Sequence, residues 1–346
     1  MPRRYLGGIF GNTLASDTNL NTLSGVFSSS QQNYMKSEGG WRPPPFSGTG
    51  GTVYTPGNGY KYHVFYNGPG AALSGTFTAT GGYEQAPDLE VLIVAGGGAN
   101  PGPYQGAAGA GGVIRTPFPI TGPSSYPVSV AAFKDSRGTG NDSTVTGHPI
   151  GTLTAKGGGV GGKYAGQDFS GGPGGSGGGV QDAPGTVGPG IQPTQNPAWI
   201  PHSGFNQYGN PGGDGLHDGA YQSGGGGGAG GPGGDSYPNA GNDSGGYGGI
   251  GIQMPGFEYP LIGLSGIDGE YNASSPTSNH YGGGGSGWGY AGQPNPANFK
   301  AAGGGGVGSN TAPGDYTVPG INGLGGGGGG NQGDGGSGIV VFRYPV

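Results

Sequence analysis

Residues 224–234 read GGGGGAGGPGG, a stretch that neither a helix nor a side-chain-packed sheet accommodates. Each glycine carries backbone entropy that ordering must remove, and none offers a side chain to bury. Similar runs recur as GGPGGSGGG (171–179), GGYGGIG (245–251), GGGGSGWG (282–289), GGGGVG (303–308) and GLGGGGGGNQGDGGSG (323–338). Glycine fills 95 of the 346 positions and proline 31, a composition that by itself also fits a disordered, low-complexity chain. Order therefore requires something other than side-chain packing to hold the runs.

Polyproline II geometry supplies it. This helix has three residues per turn, a rise of about 3.1 Å and no internal hydrogen bonds, so every N–H and C=O points sideways. Bare glycine backbones lying side by side can approach closely and satisfy one another, as near the axis of collagen. The model demands glycine at each packed position, since a Cβ would push neighbours apart. Runs of six to nine residues would span about 19–28 Å. No strict G-X-Y period is sustained, which excludes collagen, and the runs lack the Val/Ile ladders of a β-helix.

The rest of the chain reads as strands framing such a bundle. Tyr60–Tyr66 (YKYHVFY) is aromatic and β-branched and lies between glycines, and Gly75–Thr80 follows as a second strand. Leu89–Ala95 is almost continuously apolar, the pattern of a strand covered on both faces. Tyr126–Val130 alternates, with Pro127 pointing to an edge position. Thr144–Thr146 and Gly151–Ala155 form a candidate hairpin, and Ile339–Tyr344 is expected to pair with the early strands. The expected fold is mainly β with little helix: a β-sandwich-like base plus a glycine-rich, polyglycine II-type bundle with long loops. Its divisions are an arm at 1–50, a base at 51–156 completed by 337–346, and the bundle at 157–336.

Bulk numbers narrow the function. There is no cysteine, so neither a disulfide framework nor a thiolate metal site exists. With 9% charged residues and a net charge of −6, a nucleic-acid surface is disfavoured. No apolar stretch approaches transmembrane length, and the opening MPRRYLGGIFGN is too glycine-broken for a secretory signal. An uncharged, Asn/Ser/Thr/Tyr-rich surface without an export signal fits a virion protein made in a host cytoplasm and released by lysis.

Enzyme motifs fail one by one. GxGxxG matches are expected by chance here, and Gly162-Lys163 is followed by Tyr164 where a P-loop needs Ser or Thr. The GxSxG match at 174–178, around Ser176, sits inside a glycine run with no preceding strand. His63, His148, His202, His217 and His280 are scattered, and Asp214 and Asp218 around His217 read as a solvated loop. No catalytic residue, cofactor or metal is assigned, and the chain is read as a non-enzyme. The loops between runs do carry aromatic residues among Asn, Gln and Asp: Trp199, Phe205, Tyr208, Tyr221, Tyr237, Phe257, Tyr259, Tyr271, Trp288 and Tyr290. Rigid rings beside adaptable amides make a recognition surface suited to sugars, whereas the plainer role is to cover the edges of the bundle. Residues 1–50 are poor in apolar side chains and fray unless tied down, which suggests docking on a larger assembly, with Arg3, Arg4, Phe27, Tyr34 and Trp41 as candidate contacts. A short helix capped near Ser28 and stopped by Gly39–Pro45 is expected within this arm.

An apolar strand leading straight into glycine (Leu92–Gly98), a Gly-Gly-Val-Ile-Arg-Thr element ending at Thr116 and the closing Gly-Gly-Ser-Gly-Ile-Val-Val-Phe-Arg-Tyr-Pro345 occur in that order. This ordering resembles the glycine-rich structural proteins of tailed phages, particularly those of marine bacteria, and Ser24–Trp41 resembles their amino-terminal segment. More distantly, the chain is similar to fibre-tip adhesins of T-even-like phages, in which a polyglycine II sandwich displays host-binding loops. The resemblance implies a tail-fibre or tail-tip adhesin. Its partners would be other virion proteins, met through residues 1–50 and the base, and a host glycan or outer-membrane protein met through the loops; neither nucleic acid nor membrane insertion is implied. A capsid decoration or head-fibre protein without a specific receptor is the alternative.

Overall fold

The computed structural model describes residues 46–66, 68, 72–80, 89–100, 102, 104–120, 124–149, 151–163, 168–182, 185–192, 206–217, 221–237, 245–264, 279–289, 301–308 and 318–346. The fold is mainly β. One sheet has five antiparallel strands in the order β1 (Ser47–Thr49), β4 (Leu73–Thr80), β7 (Ser124–Val130), β8 (Ser143–His148) and β9 (Gly151–Ala155). The other has six, in the order β10 (Asn206–Tyr208), β6 (Val113–Pro117), β5 (Glu90–Val94), β15 (Ile339–Pro345), β3 (Tyr60–Phe65) and β2 (Thr52–Tyr54). The carboxy-terminal strand thus lies between β3 and β5, with Val341 opposite both Val64 and Leu92. The hairpin expected at 144–155 is β8–β9.

Alternation along β5 and β15 explains the layers. Val91 and Ile93, with Val340, Phe342 and Tyr344, face the five-stranded sheet and pack on Phe77, Tyr126, Val145 and Leu153. Leu92 and Val94, with Ile339 and Val341, face the other way, into a second core with Met254, Phe257, Tyr259, Ile262 and Tyr281. That is why β5 reads as a continuous apolar run: both faces are covered. Pro127 is not on an edge strand, because β7 lies between β4 and β8. It is tolerated there since β8 pairs only with Val128 and Ser129 and asks no N–H of residue 127.

β1 and β2 belong to different sheets and are joined by Gly50 and Gly51, at φ +102° and +64°. The buried His63 ring pins this corner. Its Nδ1 lies 2.8 Å from the Gly50 carbonyl oxygen and so carries the proton, while its Nε2 lies 3.3 Å from the Tyr344 hydroxyl. That hydroxyl accepts the Gly48 N–H at 3.0 Å. Burial, and to a lesser extent the charge of Lys61, lowers the His63 pKa, against the partial rescue of the Gly50 carbonyl.

Beyond the ends of β5 and β6 the sheet gives way to a lattice of glycine rods. The rod 106–112 shows its rule. The N–H groups of Gly106, Gly109 and Gly112 donate to Gly162, Gly159 and Lys156; those of Ala107 and Ala110 to Gly224 and Gly227; those of Ala108 and Gly111 to Gly328 and Gly325. Its carbonyls accept from Gly179 and Ser176, from Gly285, and from Gly98 and Ala95. Partners repeat every third residue and come from six surrounding rods, as three residues per turn require. A second rod, 223–229, is enclosed the same way: it donates to Trp288, Gly285 and Gly282, to Val180 and Gly177, and to Gly234 and Gly231. A Cβ on Gly225, Gly226 or Gly227 would fall inside the radius of a carbonyl oxygen of Tyr247, Ala108 or Asn210.

Two sequence expectations are corrected here. Packed positions need not all be glycine: Ala107, Ala108 and Ala110 are fully buried in the central rod. A methyl fits there because the bonded rods present glycine at that level, Gly224 and Gly179 beside Ala107 and Gly328 and Gly285 beside Ala108. Nor does the lattice begin at 157. Rod 106–112 comes from the segment assigned to the base, while, from the segment assigned to the bundle, β10 is an edge strand of the six-stranded sheet and the turn of 3₁₀ helix Tyr259–Ile262 packs on that sheet.

Candidate functional site

Register gives the molecule two poles. β5 runs toward the lattice and β15 away from it, so Val94 and Ile339 are near the lattice while Glu90 and Arg343 are far. Leu73 pairs with Val130, next to the lattice, and Thr80 at the other end of β4 pairs with Ser47. The described chain therefore enters and leaves the sandwich at the pole opposite the lattice. Rods 95–100 and 156–163 run outward from the base and 106–112 runs back, so residues 100, 105 and 163 mark the distal pole. The hairpin β11 (Leu216–His217) and β12 (Tyr221–Gln222) is also there, because Gly224 is level with Ala107.

The predicted aromatic residues divide between these places. Tyr237, at the distal end of rod 231–236, is 55% exposed. Tyr221 lies in the distal hairpin opposite His217. Tyr208 is half-buried on the edge strand β10, opposite Val113 and away from the distal pole. Three members do not offer a face to a partner. Trp288 is 2% exposed, edge-on to the Tyr104 ring at 4.9 Å, and its backbone exchanges hydrogen bonds with Ser223. Phe257 and Tyr259 are buried on the outer face of the six-stranded sheet. Trp199, Phe205, Tyr271 and Tyr290 lie outside the described residues, as do Arg3, Arg4, Phe27, Tyr34, Trp41 and the helix expected near Ser28.

The reason Phe257 is buried is electrostatic as well as apolar. The Arg343 and Arg115 guanidiniums lie 4.5 and 5.5 Å from its ring centroid. Both pair with Glu90, at 2.5 and 3.1 Å, and they donate to the carbonyls of Gly256 and Pro255. Two cations, one carboxylate and one ring thus clamp the 254–264 segment onto the base. Arg343 on β15 and Arg115 on β6 flank β5, the strand that carries Glu90, a juxtaposition the sequence does not display.

Outer rods present side chains at every third residue. Pro211 and Asp214, Pro232 and Asp235, and Tyr247 and Ile250 are exposed on three adjacent rods linked by Gly233→Pro211, Ser236→Asp214 and Gly234→Tyr247 hydrogen bonds. Tyr247 and Ile250 are 43% and 57% exposed, and their side chains lie beside Gly234 and Gly231. The flank of the lattice is therefore a patterned surface, with the exposed Tyr237 at its distal edge. The Asp235 carboxylate accepts the Asp214 N–H at 2.7 Å, and Asp214 accepts from Gly215 at 2.9 Å, so these acids tie down backbone. Among the described residues no three His, Asp or Glu side chains gather as a metal site. Ser176, the residue of the GxSxG match, is fully buried within the lattice.

No family model, curated protein or solved structure matches this chain.

Sequence reasoning missed the amides that end the rods. At the base, Gln192 accepts the Lys156 N–H and donates to the Thr154 carbonyl, and Asn210 donates to the carbonyls of Gly228 and Ala229. Distally, Asn100 donates to the Gly106 carbonyl at 2.5 Å and accepts from Gly161 at 2.9 Å. The 98–109 pairing would continue to residue 101, a proline with no N–H, and the Asn100 side chain stands in for it. A readable signal exists at three run ends, where Asn or Gln stands close to the terminal glycine: Gln105-Gly106, Val180-Gln181 and Gly330-Asn331.

Proposed function

We propose that this protein is a virion structural component of a tailed phage that recognises the host surface at a tail fibre or tail tip. The observation that carries this reading is the polarity of the molecule. The described chain begins at one pole, beside Ser47 and Thr80, while the rods end at the opposite pole with the Tyr221 hairpin and the exposed Tyr237. One end is thus available to dock and the other to touch a receptor. A cross-linked backbone lattice suits the task, because loops can vary in sequence while the rods that space them stay fixed. The resemblance of the segment order to glycine-rich tailed-phage proteins supports this reading. The receptor class that fits an exposed tyrosine such as Tyr237 is a surface glycan or the outer loops of a membrane protein.

The test uses the purified full chain and intact particles. Labelled protein should bind host cells and compete with particle adsorption, and Tyr221→Ala with Tyr237→Ala should reduce both without changing the melting temperature. Antibody to the lattice should mark the distal tail. Binding unaffected by both substitutions, or antibody spread over the head, would refute the adhesin reading, and head labelling would support capsid decoration.

A further inference from the structure

The distal ends of three rods carry amide side chains that the described residues do not satisfy. Gly179 pairs with Ala107, and Ala108 with Gly328, so Gln181 and Asn331 lie level with Gln105, on rods at either side of the central one. Gln105, Gln181 and Asn331 are 5%, 1% and 1% exposed. Among the described residues, both amide atoms of Gln181, Oε1 of Gln105 and Oδ1 of Asn331 have no hydrogen-bond partner. Asn100, at the same pole, is engaged at both ends, as is Gln192 at the base pole, where Nδ2 of Asn210 also donates to two backbone carbonyls. Unpaired buried amides are costly, and folded proteins fill such places with a polar guest.

The missing partners have a definite chemistry. Three carbonyl oxygens need hydrogen-bond donors, while Nε2 of Gln181 needs an acceptor. An anion such as phosphate serves only the nitrogen, and a metal ion serves only the oxygens. A hydroxyl group or a water molecule serves both. We infer that the amide layer of Gln105, Gln181 and Asn331 is a binding site for hydroxyl oxygens, supplied by ordered water or by a neutral sugar. The sequence carries the layer as amides placed where glycine runs end. It separates the invariant geometry of the rods from whatever lies beyond them, and it stands whether or not the distal pole meets a host.

Crystals of the full-length protein, native and soaked in glucose, test this directly. Discrete oxygen density against the Gln181 amide in native crystals identifies water as the source. A sugar ring seen there only after soaking identifies saccharide, and either result supports the site. Density in neither crystal overturns it. Gln181→Met, close in volume and without the amide, gives an independent readout. A filled layer loses partners and the melting temperature falls by a few degrees, whereas a rise shows that the amide was merely unsatisfied and refutes the inference.

Discussion

The base and the lattice answer the same problem with opposite materials. Around Ile93 the interior is side chain, with Phe77, Phe342, Val145 and Leu153 in one cluster. Around Ala108 and Gly226 it is main chain, each residue bonded to a different neighbouring rod. The first kind of core derives its strength from apolar area removed from water; the second derives it from hydrogen bonds made where a Cβ would intrude. A single backbone run passes from one to the other, since β5 ends at Val94 and Ala95 already donates to Gly112 within the lattice. The two therefore tolerate different errors: the base should absorb a lost methylene, and the lattice should not absorb a gained one.

The sharpest break in this comparison is Gly227→Val, whose branched carbon would overlap the Asn210 and Pro211 carbonyl oxygens. Backbone on all sides leaves nothing flexible to move, so the expected result is loss of soluble folded protein, beyond about 4 kcal/mol. A normally melting variant would disprove glycine packing. Next comes Ile93→Ala in the base, expected to cost about 2–5 kcal/mol with native far-ultraviolet dichroism kept. An effect larger than that of Gly227→Val would reverse the contrast. Arg343→Met is expected to cost about 2–3 kcal/mol and to expose the 254–264 segment to proteolysis before the lattice opens, since Glu90 is left with Arg115 alone and the Gly256 carbonyl loses its charged donor and keeps only the Tyr62 hydroxyl.

His63 sharpens the comparison through pH, because the base has a buried titratable group where the lattice's main-chain bonds have none to protonate. Its folded pKa is below the ordinary 6.5, so the unfolded chain binds more protons as pH falls. This contribution to stability is complete above about pH 6.5 and is lost as pH falls toward the depressed folded value. The melting temperature should drop across that window, with the 46–54 corner the first to be cleaved, and His63→Gln should flatten the slope. An unchanged slope would show that His63 does not control acid stability. The smallest expected effect is Gly57→Ala: no atom lies within 4 Å, so only the strain of φ +86° remains, about 1 kcal/mol.

Much of this was legible in the residues. Uninterrupted apolar character announced a doubly covered β5, and glycine runs without a G-X-Y period announced rods that are not collagen. What could not be read was which rods adjoin which. The enclosed rod 106–112 carries three alanines and is short, so composition assigned it to the base, whereas its position is fixed by long-range partners such as Gly224 and Gly328. Three of the aromatic candidates, Phe257, Tyr259 and Trp288, are buried for a related reason. Trp288 and Phe257 stand in loop-like sequence, but one is buried against Tyr104 and the other under two arginines drawn from distant strands. Exposure of a ring is decided by what folds over it, and nothing local records that.

Amide hydrogen exchange on the intact protein tests the central claim most directly. The account predicts that Gly106 to Gly112 and Ser223 to Ala229, which belong to no helix or sheet, exchange as slowly as Val91 to Val94 in β5, with every residue of each rod protected. Exchange in these rods at the rate of an open chain, while β5 stays protected, would mean that the glycine runs are not held by one another.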